Sequence, residues 1–91
     1  MTKQQLLDAE LLTNADSDLV EPVTVGGWYK AFNGYYYLCT WHAGRLTKHR
    51  TGHSVAYREA IQDFERTAGA VIDEGSGRRF DDFLAHRFFA A

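Results

Sequence analysis

The chain of 91 residues holds one cysteine, one proline and one methionine. A lone cysteine cannot close an intramolecular disulfide, so the fold rests on packing, as in a cytoplasmic protein. No run of about 18 apolar residues occurs, and the opening MTKQQLLDAELL lacks the apolar stretch of a signal peptide. The expected location is therefore the cytoplasm, with no membrane partner. There is no phosphate-cradling loop and no dinucleotide fingerprint; the glycines at 26–27, 44 and 52 and the Gly-Ser-Gly at 75–77 read as turn residues. The expectation is a protein without cofactor and without enzymatic activity. At 10.3 kDa it should expose roughly 5,400 Å² once folded, enough burial for one modest core, so residues 1–91 read as a single domain.

Acidic residues are missing from the middle third. Residues 23–58 carry Lys30, Arg45, Lys48, Arg50 and Arg58 with no Asp or Glu, a net +5, and also hold His42, His49 and His53. The flanks are acidic: residues 1–22 carry −4 and residues 59–91 carry −3, which brings the whole chain to −2. Such segregation fits a basic face for a polyanion on an otherwise acidic body. It equally fits acidic ends that fold back on the middle.

Thr2 and Gln5 have the spacing of a capping box, and Leu6, Leu7, Leu11 and Leu12 give a helix over residues 3–12 an apolar side. Leu19 to Val25 alternates around Pro22 and reads as an edge strand. Two aromatic runs, Trp28 to Phe32 and Tyr35 to Trp41, flank Asn33-Gly34, the strongest short hairpin signal. A two-residue loop there pairs Phe32 with Tyr35, Lys30 with Tyr37 and Trp28 with Cys39. One face then carries Trp28, Lys30, Phe32, Tyr35, Tyr37, Cys39 and Trp41, the expected core side. The other carries Tyr29, Ala31, Tyr36, Leu38, Thr40 and His42.

A second turn at Ala43-Gly44 leads into a strand over Arg45 to Arg50. A two-residue loop places Arg45, Thr47 and His49 beside Tyr36 and His42; a three-residue loop places Leu46, Lys48 and Arg50 there instead. Ser54 is the expected N-cap of a second helix, whose apolar stripe is Tyr57, Ile61, Phe64, Ala68 and Val71 with Ala60 alongside. Gly75-Ser76-Gly77 reads as a break before a closing helix over Arg79 to Phe89. Its Phe80, Phe83, Leu84, Phe88 and Phe89 either complete the core or dock in a partner's groove. The fold class is α+β: an antiparallel meander of three to four strands packed on an amphipathic helix, with short N- and C-terminal helices.

The candidate contact residues are Lys30, Tyr36, His42, Arg45, Lys48, His49 and Arg50. Cationic groups meet phosphates, and unstacked bases stack on tyrosine or histidine rings. The competing reading packs the same tyrosines beneath a helix. Cys39, His42, His49 and His53 are zinc-competent side chains at C-x₂-H-x₆-H-x₃-H spacing, but Cys39 and His42 point to opposite sides of a strand. The same alternation separates them as nucleophile and base.

Trp28 to Val71, three strands and a helix, resembles the plan of small DNA-contacting modules such as integrase arm-binding domains. That resemblance implies DNA contact through the Tyr36, Leu38, Thr40, His42 side and the strand Arg45 to Arg50. The tyrosine-dense GWYKAFNGYYYLCTW and the lone amphipathic SVAYREAIQDFERTA are similar in style to small phage anti-defence proteins of the anti-CRISPR type. This likeness implies an inhibitor in the host-cell cytoplasm, masking a nucleic-acid-handling surface of a nucleoprotein complex. Direct nucleic-acid binding and a zinc-stabilised interaction module are the alternatives.

Overall fold

The first hairpin turns on three residues rather than two. In the computed structural model, which describes residues 1–15, 17–51 and 54–90, β1 (Thr24–Lys30) and β2 (Tyr36–His42) run antiparallel. Lys30 lies opposite Tyr36, Tyr29 opposite Tyr37, and Trp28 opposite Leu38. Gly34 N–H donates to the Ala31 carbonyl at 2.9 Å, and Ala31 N–H donates to the Tyr35 carbonyl at 2.8 Å. Gly34 takes φ +85°, so a turn over Phe32-Asn33 closes on a left-handed glycine at a bulge.

The expected Phe32–Tyr35, Lys30–Tyr37 and Trp28–Cys39 pairs are thus wrong by one residue. Because side chains alternate, that slip exchanges the two faces of β2. Burial decides the register. Tyr36, Leu38 and Thr40 now join Val25 and Trp28 on the core side, whereas the two-residue loop would have left Leu38 outside.

β3 (Arg45–Arg50) follows a two-residue turn in which Ala43 and Gly44 both have positive φ, +50° and +76°. His42 therefore faces Arg45, and the sheet order is β1-β2-β3. This selects the two-residue alternative. Arg45, Thr47 and His49 share the side of Tyr36 and Leu38, but that side is the core side.

Gly26-Gly27, expected as a turn, lies inside β1, where the register shifts between Val25 and Gly27. Of the expected Leu19–Val25 strand, only Thr24 and Val25 pair. α1 (Lys3–Asp8) has the expected capping box from Thr2 and Gln5 but ends four residues before Leu12. Glu10 turns left-handed at φ +59°, and Leu11 N–H returns to the Leu6 carbonyl at 2.8 Å. This closure drops Leu11 and Leu12 back into the core beside Leu6.

α2 (Val55–Ala68) starts on Ser54, whose Oγ accepts Tyr57 N–H at 3.1 Å, and buries Tyr57, Ala60, Ile61 and Phe64. Val71 falls beyond the helix, past Gly69 at its end. α3 (Glu74–Phe89), at 16 residues, is the longest helix rather than a short closing one. Its first turn contains the Gly75-Ser76-Gly77 that sequence alone reads as a break. Asp73 caps it, with Oδ1 accepting Ser76 N–H at 2.7 Å and Ser76 Oγ accepting Asp73 N–H at 3.0 Å.

The glycine at 77 has a packing reason. A Cβ there would sit 2.7 Å from the Gly26 carbonyl oxygen, so only glycine lets α3 touch β1 at this crossing. Phe80 and Leu84 are fully buried, with the Phe80 ring 4.8 Å from Trp28 and 5.1 Å from Phe64. Phe83, Phe88 and Phe89 pack half-buried against the same cluster. The phenylalanines of α3 complete the core. The accessible surface is 5711 Å², close to the roughly 5,400 Å² expected for this mass. Among the described residues no helix is long and apolar enough to cross a membrane.

Candidate binding face

With the helices on one side of the sheet, the alternation of the strands sets Tyr29, Tyr37, Cys39, Trp41, Leu46, Lys48 and Arg50 on the other. Part of this side is occupied. The Trp41 indole lies against Gly26, and Val71 packs over Gly27. The remainder is open and formed by Tyr29, Tyr37, Leu46, Lys48 and Arg50, with Tyr29 43% and Leu46 49% exposed. The Tyr29 and Tyr37 ring centroids are 6.0 Å apart.

Lys48 starts on β3 opposite Cys39, and its ammonium reaches the Tyr29 ring on β1 at 3.7 Å from the centroid. The lysine stem therefore crosses over β2, which explains why Cys39 is buried although it belongs to this side. Burial pushes the Cys39 thiol up from its ordinary value, more than Lys48 pulls it down. A protonated, covered thiol is a poor nucleophile.

The cations are available. Lys30, Arg45, Lys48, Arg50 and Arg58 are all exposed, and among the described residues none is in an ion pair. The ion pairs that do form use Arg66 and Arg87 with Asp63, and Arg78 with Glu74, all on α2 and α3. Among the described residues, Asp63 and Glu74 thus pair with arginines of the C-terminal third, and the basic middle forms no ion pair.

The seven expected contact residues do not form one surface. Lys48 and Arg50 lie on the open face. Lys30 and Tyr36 sit with Arg58 and Gln62 in a shallow cleft between the first hairpin and α2, with the Lys30 ammonium 6.0 Å from the Tyr36 centroid. Tyr36 itself is half-buried against the core. His42 and Arg45 are exposed beside the second turn.

His49 is buried. Its Nε2 lies 3.0 Å from Thr40 Oγ1 and its Nδ1 lies 3.2 Å from Ser17 Oγ, so it ties Ser17 to the sheet. Desolvation lowers its pKa, partly offset by Asp18.

Of the zinc-competent set, Cys39 faces the open side, while His42 and His49 lie on the core side four positions apart along the ladder. His53 lies outside the described residues. Among the described residues no three His, Cys, Asp or Glu side chains gather where they could hold a metal.

Tyr37 belongs to the open face and was assigned by the sequence to the core. The signal for it is the alternation Tyr36-x-Leu38-x-Thr40: once the aliphatic Leu38 points inward, Tyr37 points out. Compared with known proteins, the chain matches no family model, no curated protein and no solved structure.

Proposed function

We propose that this chain is a small non-enzymatic binding protein that acts by occupying a surface of a protein or nucleoprotein complex, as anti-CRISPR-type inhibitors do. Its contact is the open sheet face. The observation that carries this reading is one arrangement: Tyr29 and Tyr37 lie beside Lys48 and Arg50 on the side of the sheet away from the core, with no described carboxylate paired to either cation. Tyrosine and arginine are the residue types that most often dominate protein interfaces, because they offer large rigid area with polar ends.

Direct nucleic-acid binding is the second reading, favoured by the same rings as stacking surfaces and the same cations as phosphate contacts. The two differ in salt dependence. Binding through Lys48 and Arg50 to duplex DNA should give a slope of about −1.8 in log affinity against log salt, with weak binding throughout. A packed protein interface should respond far less.

The test is capture from a bacterial lysate treated with nuclease, comparing the wild-type chain with the Tyr29→Ala/Tyr37→Ala variant. A protein or nucleoprotein component retained by the wild type at moderate salt and lost with the folded variant supports the reading. Recovery of free nucleic acid alone before nuclease treatment, with nothing after it, overturns it.

A further inference from the structure

We infer that the free edge of β3 takes an acidic, extended peptide segment of the partner as a fourth strand. The inference rests on the reading of the open face above and supplies the partner's chemistry there.

The ladder geometry comes first. A two-residue turn makes His42–Arg45 a hydrogen-bonded pair, and in an antiparallel ladder such pairs alternate. Arg45, Thr47 and His49 therefore spend their backbone groups on β2. Leu46, Lys48 and Arg50 direct theirs outward. Arg50 confirms the phase, since its carbonyl accepts Thr13 N–H at 3.2 Å from outside the sheet. Thr13 meets this edge at its last residue. The N–H and C=O groups of Leu46 and Lys48 face outward with no backbone partner among the described residues. An edge with unpaired ladder groups is a template for strand addition.

The charges select the occupant. β3 reads RLTKHR: its formal charges, Arg45, Lys48 and Arg50, are all positive and exposed. A second copy pairing β3 to β3 would set these cations against one another, which is unfavourable for directly opposed residues. An incoming strand with carboxylates at alternate positions instead meets Lys48 and Arg50 on the open side. Its intervening residues fall on the other side of the sheet, beside Thr47 and His49. Among the described residues, Asp18 shares a cleft with Lys48, His49 and Arg50 beyond Thr13 and makes no ion pair with the strand.

The experiment titrates isotope-labelled protein with an eight-residue peptide of alternating Glu and Val, against an alternating Lys and Val peptide and an oligothymidine of equal length. The acidic peptide is expected to shift the Leu46 and Lys48 amides and slow their hydrogen exchange, while the two controls do not. Leu46→Pro removes an N–H that β2 does not use, so the sheet is retained and acidic-peptide affinity falls about tenfold. Should Leu46→Pro not fold, Lys48→Glu takes its place and must weaken the acidic peptide while admitting the basic one.

Equal binding of the acidic and basic peptides, preferential binding of the oligonucleotide, or unchanged affinity in the folded variant overturns the inference. So does concentration-dependent self-association that shifts the same amides, because the occupant is then a second copy. A chain that keeps its Tyr29- and Tyr37-dependent lysate partner yet ignores the acidic peptide loses the edge and keeps the face.

Discussion

The two edges of the sheet are finished in opposite ways. Along β1 lies α3: Gly77 touches Gly26, Phe80 is buried on Trp28, and Asp81 Oδ1 accepts the outward Val25 N–H at 2.6 Å. Along β3 the backbone meets Thr13 at the last residue, and the side chains are cationic and exposed. The β1 edge is apolar and closely packed; the β3 edge is charged and partly unpaired. A small domain stands on few contacts, so concentrating them at one edge leaves the other able to take a partner without loss of the fold.

The largest expected effect is on the packed edge. Gly77→Ala places a methyl 2.7 Å from the Gly26 carbonyl oxygen, a backbone atom that can yield only by moving α3 or β1. Overpacking of this kind costs about 3 kcal/mol, and at roughly 4–8 °C per kcal/mol the melting temperature should fall by more than about 10 °C. Leu46→Ala on the other edge removes a side chain that is already 49% exposed and should cost under about 1 kcal/mol. Thermal melts followed by circular dichroism compare the two directly. Equal losses would erase the contrast between the edges.

Each edge also has one group with a shifted pKa, and the two respond to acid with opposite sign. His49, in β3, has its folded pKa lowered chiefly by desolvation. The neutral ring is the form the fold prefers, so its contribution is complete above the unfolded value of about 6.5 and is lost as pH falls through that value toward the folded one. Asp81, at β1, has its pKa raised, chiefly by burial and against the Val25 N–H. Its ionisation therefore costs stability as pH climbs above 3.8. His49→Gln should flatten the loss of stability between about pH 7 and 5. Asp81→Asn keeps the acceptor for Val25 and should raise the melting temperature at pH 7, with the gain gone below pH 3.8. Melts across pH separate the two, and a gain for Asp81→Asn that persists in acid would show that its charge is not the cause.

What could be read from the sequence follows from which physical signals act locally. The capping box at Thr2, the Ser54 cap, the stripe from Tyr57 to Phe64 and the bounds of β3 depend on residues within a few positions of one another, and all are found in place. The failures needed information from across the fold. Asn33-Gly34 supports a two- or a three-residue loop, and the choice was made by whether Leu38 could be buried on Val25 and Trp28. Gly75-Ser76-Gly77 looks like a break until Gly26 is brought opposite, when small residues become the condition for contact. The exchange of faces scattered the expected contact set: Lys48 and Arg50 stayed on the open side, His49 went under, and Tyr37 took the place expected for Tyr36. Whether the acidic ends neutralise the acid-free middle was not legible, because it depends on where those ends pack; among the described residues Asp63 and Glu74 pair with arginines of α2 and α3 instead.

The smallest expected effect tests the open edge most sharply. Lys48 places its ammonium 3.7 Å from the Tyr29 centroid, a contact that at an exposed site is worth about 0.5–1 kcal/mol. Lys48→Gln keeps most of the stem that covers Cys39 and relieves repulsion from Arg50 and Arg45 on the same strand. The two terms oppose one another, so the net change in stability should stay within about 0.5 kcal/mol, the range of an ordinary surface substitution. A charge that can be removed so cheaply is not kept for folding. If Lys48→Gln instead destabilised the protein as much as Gly77→Ala, the lysine would be a strut across β2, and the β3 edge would hold the fold together as firmly as the edge beneath α3.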